Sequence, residues 1–167
     1  MAVEATPIEN DTSGNRSSSR RRFSTSIQPR SASSGSYSEG TSRSKRSIGE
    51  VLVAPAGTHL RLAGARVELS AGPPVGGHRP SATELFASVA QGLGPRGLGV
   101  ILTGMGSDGA AGLVELRRAG GRVLAQDEAS CVVPGMPAAA VAAGAVDEVV
   151  PLERMAARIA ATWSPAC

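Results

Sequence analysis

The fold of this 167-residue chain is decided by residues 97–109, which read GLGVILTGMGSDG. Residues 98–102 are apolar, rich in branched side chains and too short for a globular helix, which is typical of a strand buried on both faces of a parallel sheet. The glycines that follow permit positive φ and close backbone approach, and residues 110–119 have a helical pattern. The sequence therefore predicts a tight strand-to-helix turn. Because ligands bind at the carboxyl ends of such strands, Asp108 is a candidate site residue.

Asp108 also has a purely structural interpretation. Aspartate is a preferred helix N-cap, because its side-chain oxygen accepts an unpaired N–H of the first turn. Spacing alone favours this cap, since one aspartate after glycines is a weak sign of catalysis. On the residues alone, both interpretations stay open.

From Gly49 onward the chain alternates between strand and helix patterns. Strands are expected at 51–54, 98–103, 122–125 and 146–150, an antiparallel hairpin at 60–69, and helices at 81–93, 109–119, 136–143 and 152–163. The helix at 81–93 opens with a capping box, Ser81 to Glu84. This order predicts an α/β fold: a mostly parallel, doubly wound sheet with helices on both faces, plus a small hairpin.

Residues 1–48 have a different composition. Residues 1–47 contain fourteen serines and the triplet Arg20-Arg21-Arg22, with almost no aliphatic periodicity. Residues 1–50 carry eight basic and five acidic side chains and the remainder nine of each, so the net charge of +3 comes from this segment. Such a composition buries too little apolar surface to offset the entropy of ordering. We expect a disordered Ser/Arg-rich leader that is a solvated tail, and no nucleic-acid partner.

Residue types that often carry chemistry are sparse. Cys131 and Cys167 have no metal-ligand spacing, so we expect neither a metal site nor a cofactor, and a reducing, cytoplasmic compartment is favoured. No apolar stretch is long enough for membrane insertion. For His59 and His78, the interpretation as ordinary loop residues is favoured over that as catalytic bases. Cys131 is more readily a small buried side chain than a nucleophile, because no basic neighbour lowers its pKa.

Several strings of residues, in one consistent order, resemble the signatures of the chemotaxis receptor methylesterase (CheB-type) catalytic domain. They lie within residues 49–163. The two strongest are GMGSDGAAG at 104–112 and QDEASCVV at 126–133, the latter followed by GMP at 135–137. The others are VAP at 53–55, GTH at 57–59, GPPV at 72–75 and HRPS at 78–81.

The resemblance implies hydrolysis of glutamate methyl esters, and deamidation of certain glutamines, on methyl-accepting chemotaxis receptors. Family members use a serine, a histidine and an aspartate in that chain order. The resemblance assigns the aspartate to Asp108 and the oxyanion-side position to Met105. The family's Gly-x-Ser-Thr-Gly-Gly turn and its histidine before a Met-Pro pair do not occur in these residues. His59 and His78 match positions outside the triad.

The chain thus resembles the C-terminal portion of a methylesterase domain, with the N-terminal part of the domain missing. Two hypotheses follow. The protein is a protein-glutamate methylesterase by descent, inactive as this chain alone, or it is a non-catalytic remnant or binding module. In the absence of a triad histidine, we expect the Asp108 carboxylate to cap the helix that begins after Gly109.

Overall fold

A computed structural model of the protein describes residues 44–45, 51–64 and 66–163. The expected disordered leader lies outside the described residues, except that Ser44–Lys45 form a short strand, β1. Strands β2 (His59–Ala63) and β3 (Arg66–Ser70) form the predicted antiparallel hairpin, in which Leu62 lies opposite Val67. β1 pairs with the other edge of β3, which makes a three-stranded antiparallel sheet.

A second sheet follows along the chain. It consists of β4 (Leu98–Ile101), β5 (Arg122–Gln126) and β6 (Glu148–Val150), paired in parallel in the order β4–β5–β6. Helices α2 (Ala110–Arg118) and α3 (Gly135–Ala142) connect these strands, and α4 (Leu152–Trp163) follows β6. Helix α1 (Ala82–Leu93) precedes β4 and packs against both α2 and β2. The predicted α/β class, with a parallel sheet and a small hairpin, is confirmed.

The two faces of the parallel sheet bury different sets of side chains, because successive residues of a strand point to opposite faces. One face packs against α1, α2 and α3. The buried residues of this cluster include Ile101, Val123, Ala125, Phe86, Leu113, Leu116 and Ala140. The other face packs against α4 through a smaller cluster, made of Leu98, Leu124, Val150 and Met155.

The predicted strand at residues 51–54 is wrong, since this segment has no regular structure. Val51 and Val53 are exposed, and no described strand pairs with them. An apolar run forms a strand only where a neighbour completes its hydrogen-bond ladder. β4 also ends at Ile101, two residues earlier than predicted, because the Thr103 N–H donates to the side chain of Gln126 instead of a neighbouring strand.

The contact between α1 and α2 depends on Gly112, where no side chain can be accommodated. A Cβ atom at this position would lie 2.3 Å from the carbonyl oxygen of Thr83. This close approach brings the start of α1 beside the turn that precedes α2. Within the described ranges, no helix combines the length and the apolar character needed to cross a bilayer.

Candidate functional site

Asp108 lies in the turn between β4 and α2, and its carboxylate binds the start of α1. Its Oδ1 accepts hydrogen bonds from Ser81 Oγ at 2.8 Å, from the Thr83 amide at 3.0 Å and from Thr83 Oγ1 at 3.0 Å. Its Oδ2 accepts one hydrogen bond, from the Ala82 amide at 2.7 Å. The carboxylate therefore satisfies two of the N–H groups that a helix leaves unpaired in its first turn.

The expectation that Asp108 caps the following helix is wrong. The N-cap of α2 is Gly109, with φ of 95° and no side-chain cap, whereas a capping aspartate needs the N-cap position itself with an extended backbone. The left-handed Gly109 directs Asp108 away from α2 and towards α1. The Gly109 N–H donates to Thr83 Oγ1 at 2.8 Å, which ties the same turn to α1 a second time.

The environment of Asp108 keeps its carboxylate ionised. Partial burial raises its pKa, but hydrogen bonds from the Ala82 and Thr83 amides and from the Ser81 and Thr83 hydroxyls outweigh that effect. The pKa of Asp108 is consequently lowered below its usual value. A carboxylate offers about four lone-pair positions, two on each oxygen, so Oδ2 with its single donor retains capacity for another.

A pocket of about 140 Å³ lies beside this carboxylate. Asp108 and Ser81 are the residues with polar side chains in its lining, which also includes Ala82. The remaining lining residues are Val53, Ala54, Leu60, Pro80 and Leu85. The ionised carboxylate thus borders a small, mainly apolar space at the carboxyl side of β4, where ligands of open α/β sheets bind.

The two histidines are not hydrogen-bonded to Asp108. His59 is 2% exposed and uses both ring nitrogens, since Nδ1 accepts from the Ser81 amide at 3.2 Å and Nε2 lies 3.1 Å from the Pro73 carbonyl. A carbonyl only accepts, so Nε2 carries the proton and the ring is a neutral tautomer that braces the loop before α1. His78 is exposed, and its backbone pairs with Val75.

Met105 lies at the centre of the turn that leaves β4, residues 103–106, which we call the exit turn. The residue is 82% exposed, and its amide donates no hydrogen bond within the described part of the chain. The residue before it is fixed on both sides. The Gly104 amide donates to the Val133 carbonyl at 2.9 Å, and the Gly104 carbonyl accepts from the Met136 amide at 2.9 Å. A free N–H on a well-held turn is suited to bind a negatively charged oxygen.

Cys131 is half-buried, and its thiol does not favour ionisation. Partial burial and the nearby carboxylates of Asp127 and Glu128 raise its pKa. This agrees with its interpretation as a structural side chain. Among the residues that the structure describes, no group of three or more His, Cys, Asp or Glu side chains could hold a metal ion.

Sequence reasoning missed Ser81 and Thr83 as the partners of Asp108. A signal existed, because the capping box at Ser81 places the unpaired amides of a helix start there. The pattern cannot reveal that a carboxylate 25 to 27 residues further along the chain would accept from them.

Comparisons with known proteins agree with this fold. A family model for CheB methylesterase matches residues 28–159, starting ahead of the predicted boundary at residue 49. A protein of Burkholderia thailandensis named protein-glutamate methylesterase/protein-glutamine glutaminase 2 is 58% identical over 111 residues, which are 64% of this chain and 31% of that protein. A protein of Pectobacterium atrosepticum named protein-glutamate methylesterase/protein-glutamine glutaminase is 56% identical over 120 residues, 70% of this chain and 34% of that protein. The chain spans about a third of the length of these curated relatives.

A solved structure has the same fold. The crystal structure of the Thermotoga maritima CheB methylesterase catalytic domain superposes with a TM-score of 0.59 and 28% sequence identity, covering 64% of this chain and 58% of that one. Sequence and fold therefore agree over most of the described residues, and the chain belongs to the CheB methylesterase family.

Proposed function

We propose that this chain supplies the aspartate and the oxyanion-side backbone of a protein-glutamate methylesterase site. The substrates would be glutamate methyl esters and glutamines of a protein, as the names of the relatives suggest. The resemblance to the family makes methyl-accepting chemotaxis receptors the proposed protein substrates. The observation that carries the proposal is the state of Asp108: an ionised carboxylate with three donors on Oδ1 and only one on Oδ2.

This arrangement suits the aspartate of a serine hydrolase. In such a site a serine hydroxyl attacks the ester carbonyl, an imidazole takes its proton, and the aspartate accepts the other imidazole N–H and stabilises the imidazolium. Three donors fix the orientation of the Asp108 carboxylate, and Oδ2 can accept the imidazole N–H. The free Met105 amide would donate to the oxygen that becomes negative when the carbonyl is attacked.

The nucleophile and the base would come from a segment outside these 167 residues. In this proposal the serine and the histidine lie next to the pocket beside Asp108 and complete the groups needed for acyl transfer. Loss of methanol from the tetrahedral intermediate, or of ammonia from a glutamine, leaves an acyl-serine that water hydrolyses to glutamate.

A second candidate function is a non-catalytic binding module. It is favoured by the absence of any imidazole hydrogen-bonded to Asp108 within the described residues. In that case the carboxylate only caps α1, and the pocket beside it takes part in docking a receptor segment without cleaving it.

One experiment separates the two functions. A hybrid protein carries the residues of the Burkholderia thailandensis relative that precede the matched region, followed by residues 49–163 of this chain. Methanol release from a methyl-esterified receptor peptide is measured for the hybrid and for the 167-residue chain. Each is also tested with Asp108→Asn and with Asp147→Asn. Asp147 is a matched control, because it too accepts a backbone N–H, that of Val123 at 2.8 Å, but at the amino end of β5.

We expect the chain alone to release methanol no faster than buffer and the hybrid to be active. Asp108→Asn should then lower the rate of the hybrid by about a thousandfold or more, since an aspartate-to-asparagine change in a serine triad costs about ten-thousandfold. Asp147→Asn should leave that rate within a few fold. A folded hybrid without activity, combined with peptide binding by the chain alone, would establish the binding module. Activity in the chain alone that Asp108→Asn abolishes would contradict an external nucleophile.

A further inference from the structure

A buried amide side chain underlies the exit turn. Gln126, the last residue of β5, is 2% exposed, and both ends of its side-chain amide are hydrogen-bonded. Its Oε1 accepts from the Thr103 amide at 2.8 Å, and its Nε2 donates to the Ser130 carbonyl at 2.7 Å and lies 3.2 Å from Ser130 Oγ. Only this orientation of the Gln126 amide satisfies both contacts. If the amide were flipped, its NH₂ group would face the Thr103 N–H and its oxygen would face the Ser130 carbonyl.

Gln126 connects three segments at the carboxyl edge of the parallel sheet. Through Thr103 it binds the exit turn, and through Ser130 it binds the 3₁₀ turn Glu128–Ser130. Ser130 Oγ in turn accepts from the Leu152 amide at 3.1 Å, at the start of α4, and also contacts Asp127 Oδ1. One buried residue of β5 thus fixes the position at which the backbone leaves β4.

The hydrogen bonds of the exit turn itself depend on this position. Thr103 Oγ1 exchanges two hydrogen bonds with the backbone of Val133, accepting from its N–H at 2.8 Å and donating to its carbonyl at 3.1 Å. The Gly104 amide donates to the same carbonyl. A shift of the Thr103 amide would therefore move Gly104, and with it the amide of Met105. The buried Gln126 amide costs stability when it loses a partner, so the position of the Thr103 amide is strongly specified.

We propose that Gln126 is a positioning residue for the Met105 amide, acting through Thr103 and Gly104. The proposal rests on the proposed function, since that function assigns the Met105 amide to the developing oxyanion. Gln126 itself is buried behind the turn and would touch no substrate atom. Its replacement should lower kcat with little change in KM, because an oxyanion donor acts mainly in the transition state.

The test uses two variants of Gln126 and one matched control. Gln126→Ala removes both ends of the amide. Gln126→Glu has the same shape and keeps an acceptor for the Thr103 amide, but it places a second oxygen, in place of the NH₂ donor, against the Ser130 carbonyl. The control is Ser88→Ala, which removes another buried hydrogen-bonding side chain. Ser88 Oγ accepts from the Leu62 amide at 2.9 Å and donates to the Leu85 carbonyl at 2.7 Å, on α1 and far along the chain from the exit turn.

The first readout needs no activity. Amide hydrogen exchange of the 167-residue chain is measured by NMR at Gly104 and Met136, whose hydrogen bonds Gln126 does not make itself. We expect Gln126→Ala to speed exchange at these two amides by about tenfold or more relative to amides of the core strands, and Gln126→Glu to have a smaller effect in the same direction. Ser88→Ala should change their exchange only in proportion to the global loss of stability.

The second readout is the kinetics of the hybrid protein. We expect kcat to fall by about 10- to 100-fold in Gln126→Ala, less in Gln126→Glu, with KM within about twofold, since a displacement of about 1 Å can cost about a hundredfold. Exchange at Gly104 and Met136 that is unchanged, or that changes equally in Ser88→Ala, would overturn the proposal, as would an active hybrid with unaltered kcat. If the hybrid is inactive, the proposed function fails and the exchange data alone decide the role of Gln126. If Gln126→Ala does not fold, Gln126→Glu decides it by the same readouts.

Discussion

Replacing Asp108 with asparagine tests whether its carboxylate stabilises the start of α1. The amide oxygen of asparagine can replace Oδ1, which receives three hydrogen bonds, but its NH₂ group then faces the Ala82 N–H, so two donors oppose each other at a former 2.7 Å contact. Loss of a capping side chain costs about 0.5–2 kcal/mol, and an unsatisfied buried donor about 1–3 kcal/mol. Because Asp108 is only partly buried, we expect Asp108→Asn to lower the free energy of unfolding by about 1–2 kcal/mol at neutral pH.

The effect of Asp108→Asn on the free energy of unfolding should depend on pH, in a direction that follows from the pKa shift of Asp108. The pKa of Asp108 is lowered in the folded chain relative to the unfolded chain, where aspartate titrates near about 3.9. As the pH falls, the unfolded chain binds the proton first, so the stabilisation is complete above about pH 4 and is lost as the pH falls through the folded-state pKa. Asparagine does not titrate. The difference in stability between the wild type and Asp108→Asn should therefore be largest near neutral pH and shrink below about pH 4.

Urea unfolding followed by circular dichroism at several pH values from 7 to 3 measures this difference. The control is Glu115→Gln, which also removes one negative charge. The Glu115 carboxylate is exposed on α2 and makes no hydrogen bond or ion pair with the residues that the structure describes. We expect its effect to stay within about 0.5 kcal/mol, as is usual for surface substitutions. The reasoning is refuted if Asp108→Asn is no more destabilising than Glu115→Gln, or if its cost is the same at pH 7 and pH 3.

Two further predictions concern packing and order. Gly112→Ala should destabilise the protein by about 1–3 kcal/mol in thermal or urea unfolding, because its Cβ would lie 2.3 Å from the Thr83 carbonyl oxygen, and this clash outweighs the better helix propensity of alanine. Ala111→Gly at the exposed neighbouring position measures the propensity effect alone, and a Gly112→Ala variant at least as stable as the wild type would contradict the close contact of α1 and α2. Limited proteolysis should remove the part of the Ser/Arg-rich leader that precedes β1 (Ser44–Lys45) and leave one stable fragment, since the composition of the leader predicts disorder whereas β1 is paired with β3; a leader that resists cleavage together with the core would disprove it.

The elements that the sequence predicts correctly are those with a local signal. The hairpin follows from alternation with a short turn, and α1 follows from the capping box at Ser81, whose Oγ accepts from the Glu84 amide at 3.4 Å. The prediction of a strand at residues 51–54 is wrong because the local signal was not sufficient. The apolar residues of this segment satisfy the local pattern, but a strand needs a neighbouring strand, which local sequence does not specify.

The site illustrates the same limit at the level of single side chains. Both the candidate role of Asp108 and its preference for capping follow from its position after glycines. Which helix it caps depends on the left-handed Gly109 and on the close approach that Gly112 allows between α1 and α2. The sequence does not single out Gln126, because a buried glutamine has no sequence signal that distinguishes it from an exposed one.

The strings that resemble the methylesterase family fall in separate parts of the sequence, and the structure gives a physical reason for their occurrence together. Ser81, at the end of HRPS, donates to Asp108 of GMGSDGAAG. Gln126, at the start of QDEASCVV, accepts from Thr103, and Val133, at its end, accepts from Gly104.

The last of these strings, GMP at 135–137, contacts the same turn. Its Met136 amide donates to the Gly104 carbonyl, and a Cβ at Gly135 would lie 2.9 Å from that oxygen. The turn after β4 is therefore held from one side by α1 and from the other by β5 and α3. Substituting any one string would release one side of the turn that presents both the Met105 amide and the Asp108 carboxylate, because the contacts of all four strings converge on that turn.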